Sequence, residues 1–74
     1  MEIELKKIEE RGDAKNPNNI EVGHVERGEI RSKPTVGERF WVGVKGWKTS
    51  TVQEIIDERT FKTCNSVYRW RIVG

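Results

Sequence analysis

The stretch Phe61-Lys62-Thr63-Cys64-Asn65-Ser66-Val67-Tyr68-Arg69-Trp70-Arg71-Ile72-Val73 decides the fold class. Tyr68, Trp70 and Ile72 fall in one phase of a two-residue period, and Val67, Arg69, Arg71 and Val73 in the other. Successive side chains of a strand point to opposite faces, so this alternation predicts a strand with Tyr68, Trp70 and Ile72 on the core and the other four outward. Phe61–Cys64 is a second short strand. Asn65-Ser66 between them suits a two-residue hairpin turn, because Asn tolerates the left-handed conformation such a turn needs. Pairing across it sets Thr63 opposite Tyr68 and Phe61 opposite Trp70.

Working back toward the N-terminus, Glu58-Arg59-Thr60 reads as a turn and Trp47 to Asp57 as a strand. The doubled Ile55-Ile56 in that strand needs a bulge or strong twist to bury both. Lys45-Gly46 is a turn. Val36 to Val44 is a strand with Phe40, Val42 and Val44 on one face and Arg39, Trp41 and Lys45 on the other. Residues 20–31 hold a β stretch with Ile20 and Val22 in phase, then Val25 and Ile30. Gly23 and Gly28 interrupt it, which suggests a hairpin turn near Arg27-Gly28. Ser32-Lys33-Pro34 ends it. Residues 11–19 are turn formers almost throughout and read as a mobile loop. The Arg11-Gly12-Asp13 triplet within it is a chance match to an integrin ligand.

At the N-terminus, Ile3 and Leu5 alternate with Glu2, Glu4 and Lys6, which predicts a strand that bulges or ends at Lys7-Ile8. A short helix over residues 2–11 is the competing reading, since its Glu and Lys content suits a helix. The expected architecture is all-β: an SH3-like barrel or a curled five- to six-stranded antiparallel sheet. An OB-like barrel needs a longer chain.

Composition narrows the function. The 74 residues make one domain, 1–74, and a domain of this size buries only about 60% of its unfolded surface. There is one cysteine, Cys64, and one histidine, His24, which excludes an internal disulfide and a structural zinc site of the usual ligands. No apolar run is long enough to span a membrane, and the first residues do not resemble a signal peptide, so a cytosolic location is the default. Residues 1–30 carry five Lys/Arg against eight Asp/Glu, a net of −3, and residues 31–74 carry nine against four, a net of +5. That asymmetry predicts an acidic edge and a basic face.

No phosphate-binding glycine loop is present. Asp57 and Glu58 are adjacent, so in a strand they diverge and cannot act as a carboxylate pair. A His24–Cys64 pair is the one conceivable nucleophilic arrangement, but a lone cysteine is usually a small core residue. These absences predict a domain that is not an enzyme and carries no cofactor or metal. What remains is an outward face. Arg39, Trp41 and Lys45 share one side of their strand, Arg69 and Arg71 the outward side of the last, and Trp47 begins a strand after Gly46. An outward Trp either covers a second small core or meets a partner.

Thr49-Ser50, Val52, Phe61, Thr63, Asn65-Ser66 and Tyr68 together resemble a family of short phage and mobile-element proteins with the pattern Thr-Ser-x-Val, about ten residues, then Phe-x-Thr-x-Asn-Ser-x-Tyr. The similarity covers residues 36–73 and leaves out 1–35. It implies a phage or bacterial setting, with the host cytosol as location, and a small β fold; it implies no activity. The hydroxyls also have a structural explanation, as cross-strand pairs that fix register.

The sequence therefore points to a non-enzymatic binding module that occupies the surface of a host or phage protein, with inhibition of a host machine as the expected effect. The alternative is a nucleic-acid-binding β-barrel with Arg39, Trp41, Lys45, Trp47, Arg69 and Arg71 as its contact face. A nucleotide captured between subunits is a third reading, without specific support.

Overall fold

The fold follows from six segments whose apolar residues alternate and whose ends carry turn formers. In the computed structural model, residues 1–10, 21–43, 46–64 and 66–74 are described. They form β1 (Glu2–Glu10), β2 (Val25–Glu29), β3 (Arg39–Val42), β4 (Trp47–Asp57), β5 (Thr60–Thr63) and β6 (Ser66–Ile72). All neighbours are antiparallel, in the order β2-β1-β6-β5-β4-β3. The sheet curls into a nearly closed barrel, and no helix forms among the described residues, so the N-terminal segment is a strand. Its register shifts between Lys7 and Glu9, at the position where the phase breaks in the sequence. The expected loop at 11–19 lies outside the described residues.

Each strand sends alternate residues inward. Ile3, Leu5, Ile30, Phe40, Val42, Val52, Phe61, Tyr68 and Trp70 form the core. Four of its aromatic rings touch in series. Trp70 and Phe40 lie 6.3 Å apart, Phe40 meets Phe61 edge-on at 5.3 Å, and Phe61 stacks on Tyr68 at 5.5 Å. Trp47, half-buried, adds an edge contact to Tyr68 at 6.3 Å. Burial pushes the Tyr68 hydroxyl above its ordinary pKa, and a hydrogen bond with Ser66 opposes that in part. Lys7 is also enclosed, 1% exposed, and its ammonium pairs with Glu10. A buried Lys persists only when paired.

Several expectations are corrected. The β5–β6 hairpin pairs Phe61 with Tyr68 and Lys62 with Val67, two residues tighter than the expected Phe61–Trp70 register. Ser66 belongs to β6, so it cannot serve as a turn residue. The faces survive because the shift is even. Val67 was expected outward but is buried, together with Ser66 and Tyr68, where bulged β1 sets Glu9 opposite Val67. Ile72 pairs with buried Ile3 but is itself exposed at the end of its strand. Strand β4 does bulge, between Val52 and Glu54 and between Ile55 and Asp57, yet Ile55 and Ile56 stay 45% and 48% exposed. The bulges lie where β3 no longer runs alongside, so nothing covers them. Strand β3 is shorter than predicted: Val36 and Gly37 form a turn, with Gly37 at φ 93°, and Val44 lies outside the described residues.

Gly28 does not mark a turn either. It sits inside β2, and the chain reverses earlier, at Val22-Gly23, with Gly23 at φ 94°. Val22 and Val25 are exposed and Ile20 lies outside the described residues, so among the described residues of this stretch Ile30 is the apolar one in the core. The requirement for glycine at 28 comes from another strand: a Cβ there would lie 2.7 Å from Gly43 Cα and 2.9 Å from Gly43 N.

The threonine hydroxyls of the pattern, Thr49 and Thr63, bond to backbone. Thr49 Oγ1 accepts from Phe40 N–H at 3.2 Å and donates to the Ser50 carbonyl at 2.7 Å. Thr63 Oγ1 donates to the Ser66 carbonyl at 3.4 Å. The Thr49 bond falls where the β3–β4 register shifts, between Arg39 and Trp41, and ties Phe40 to β4 across the irregularity. At the β4–β5 turn, Asp57 Oδ1 accepts from Arg59 N–H at 2.9 Å, and that bond, helped by Thr60, holds the carboxyl below its ordinary range.

A candidate binding cleft at the open seam

The barrel closes between β2 and β3, and there it stays partly open. Among the described residues, one backbone bond crosses this seam, from Gly43 N–H, just past β3, to the Glu29 carbonyl of β2 at 2.9 Å. Continued antiparallel pairing from that bond would set residue 31 opposite 41 and 33 opposite 39. The chain instead bends at Arg31-Ser32 and meets Pro34, which has no N–H to give. The 30–38 connection is led off β3, and a cleft of about 580 Å³ opens between them. That lies within the range of ligand sites, about 300–1,000 Å³.

Phe40 and Ile30, both buried, lie at its base, and Trp41 forms a wall. Trp41 is 52% exposed. It therefore covers no second core, which was one of its two expected roles. Its ring lies against Gly46, where a Cβ would be 3.2 Å away, and Lys48 Nζ sits 4.8 Å from the ring centroid. A cation over the indole holds the ring in place without hiding it from solvent. Arg31, Lys33 and Arg39 line the cleft, are exposed, and make no ion pair among the described residues; Glu29 and Glu38 are the acids there.

The backbone of β3 also opens onto the cleft. The N–H and C=O of one peptide unit point opposite ways. The Glu38 carbonyl accepts from Val52 N–H on β4, which turns Arg39 N–H away from β4. Phe40 N–H turns to Thr49 on β4, which directs the Arg39 carbonyl away as well. By the same alternation Trp41 presents its N–H and C=O toward the cleft, in the phase in which Gly43 N–H reaches Glu29.

The five described residues of the expected face, Arg39, Trp41, Trp47, Arg69 and Arg71, do not share one. Arg39 and Trp41 stand together on β3. Arg69 and Arg71 are on β6, with β5 and β4 between, across the barrel. Arg71 is bound to Glu4 at 3.1 Å, and the same carboxylate holds Arg27 at 3.3 Å, so the acidic edge and basic strand neutralise each other side by side. Trp47 leans on the core. Lys45 lies outside the described residues. Arg31, Lys33 and Lys48 were missed. The sequence signal for the first two was present in Arg31-Ser32-Lys33-Pro34, which reads as a strand end but also carries two cations past an open edge.

Elsewhere, His24 Nε2 shares a hydrogen bond with Glu26 Oε1 at 2.6 Å, and Cys64 is exposed at the β5–β6 connection, so the histidine's partner is a carboxylate and not the thiol. A smaller recess of about 250 Å³ lies where Arg59 stacks over Trp70, 4.5 Å from the ring. No group of three metal-capable side chains and no helix able to cross a membrane occurs among the described residues. Comparison with known proteins gives no matching family model, no matching curated protein and no matching solved structure.

Proposed function

We propose that this domain is a non-enzymatic binding module that engages a protein partner through the cleft beside β3, in keeping with a phage or mobile-element protein that occupies the surface of a host machine. The observation that carries this is Trp41: a half-exposed indole held by Lys48 and Gly46 at the edge of a cleft. Leaving so large an apolar ring in water forgoes the gain of burying it, and partly exposed Trp is a frequent anchor of protein interfaces. A nucleic-acid partner is less favoured. The cations of β3 and β6 are on different sides of the barrel, and Arg71 is already engaged by Glu4, so they form no continuous basic track for a phosphate backbone.

The test is capture from bacterial lysate with the tagged domain and its Trp41→Ala variant in parallel. A stoichiometric protein partner is expected with the wild type. Trp41→Ala should weaken its binding by about 30-fold or more, the loss of one interface anchor, while melting within a few degrees of the parent. Recovery of no partner, or equal recovery by both proteins, contradicts the proposal.

A further inference from the structure

We infer that the cleft takes an extended, acidic segment of the partner protein, which adds to the barrel as a strand on the free edge of β3. This rests on the binding-module reading and specifies its mode. The edge of β3 presents donors and acceptors in alternation at Arg39 and Trp41, two residues and about 6.6 Å apart along the strand. Another peptide backbone matches that alternation; a phosphodiester chain offers acceptors and no matching donors. Main-chain pairing would give the affinity, and side chains of the added strand would meet Trp41 on one face.

Charge selects the kind of segment. Arg31, Lys33 and Arg39 flank the edge without an ion-pair partner among the described residues, and they outnumber Glu29 and Glu38. A second copy of this chain is disfavoured as the occupant. Antiparallel β3–β3 pairing would gather the Arg31, Lys33 and Arg39 cations of two copies along one seam, where like charges repel. The bend at Arg31-Ser32 and the missing N–H of Pro34 keep the chain's own connection from filling the place.

The experiment selects binders to the whole domain from a random library of ten-residue peptides, then follows amide exchange of the labelled domain with the selected peptides. Asp, Glu and β-branched residues should be enriched. The Arg39 and Trp41 amides should slow at least tenfold on binding. N-methylation of alternate peptide amides should weaken binding at least tenfold, and N-methylation of the intervening ones should not. Arg31→Glu with Lys33→Glu, both at exposed positions, should also weaken it at least tenfold. Peptides that bind and change Trp41 fluorescence without protecting Arg39 and Trp41 would overturn strand addition and leave the binding module standing. If no peptide is selected while a 20-residue oligothymidine binds, peptide recognition is overturned in favour of nucleic acid.

Discussion

Phe61→Ala is expected to strip away a large part of the domain's stability. Phe61 is fully buried, stacks on Tyr68 and meets Phe40 edge-on, so it joins the two halves of the aromatic core. Truncating a buried Phe costs about 3–5 kcal/mol. A chain of this length has a total stability of roughly 4–11 kcal/mol at the usual per-residue value. At about 4–8 °C per kcal/mol for so small a domain, the melting temperature should fall by tens of degrees. Ile55→Ala and Ile56→Ala should each cost less than about 1 kcal/mol, because both side chains are nearly half exposed already. Urea midpoints of the three variants check this. Equal losses for Phe61→Ala and Ile55→Ala would mean the core is not where these contacts place it.

The second large effect is expected at a residue with no side chain. Gly28→Ala puts a Cβ 2.7 Å from Gly43 Cα, so backbone must move away from backbone. Overpacking in a core costs about 1–3 kcal/mol, and here no flexible side chain can yield, so the upper end applies. The movement would also pull Gly43 N–H from the Glu29 carbonyl, the bond that holds the seam. The variant should melt about 12 °C or more below the parent, and its Gly43 amide should lose protection. Gly23→Ala is the comparison. It has nothing within 4 Å but sits at φ 94°, so it should cost about 1–2 kcal/mol from backbone strain alone. A Gly28→Ala protein as stable as the parent would mean that β2 and β3 do not approach as described.

Much of the barrel was legible because period-two patterning is a local signal. Phe40 and Val42 inward with Arg39 and Trp41 outward, Tyr68 and Trp70 inward with Arg69 and Arg71 outward, and the break at Lys7 all follow from alternation within one strand. What alternation cannot give is the neighbour. The Phe61–Tyr68 register turns on whether Ser66 belongs to the turn or to the strand, and either choice leaves the same faces. Gly28 resembles any other turn glycine, because the Gly43 backbone that forbids its side chain lies fifteen positions away. Ile55 and Ile56 look buried until β3 is seen to end short of them.

The candidate site was half legible for the same reason. Arg39 and Trp41 are adjacent in phase on one strand and were found. Arg69 and Arg71 have the same outward pattern, but strand order places them on another side of the barrel, beside Glu4. The open seam depends on a bend at Arg31-Ser32 relative to β3, a relation between segments and not a property of either.

The claim on which the mode of binding depends is that β3 has a free edge, and amide hydrogen exchange of the unliganded domain tests it most directly. Phe40, bonded to Thr49, Val42, facing β4, and Gly43, bonded to Glu29, should be protected, while Arg39 and Trp41 between them exchange at least tenfold faster. Uniform protection from Arg39 to Gly43 would show that the seam is zipped by the chain itself, and would leave no edge for a partner to join.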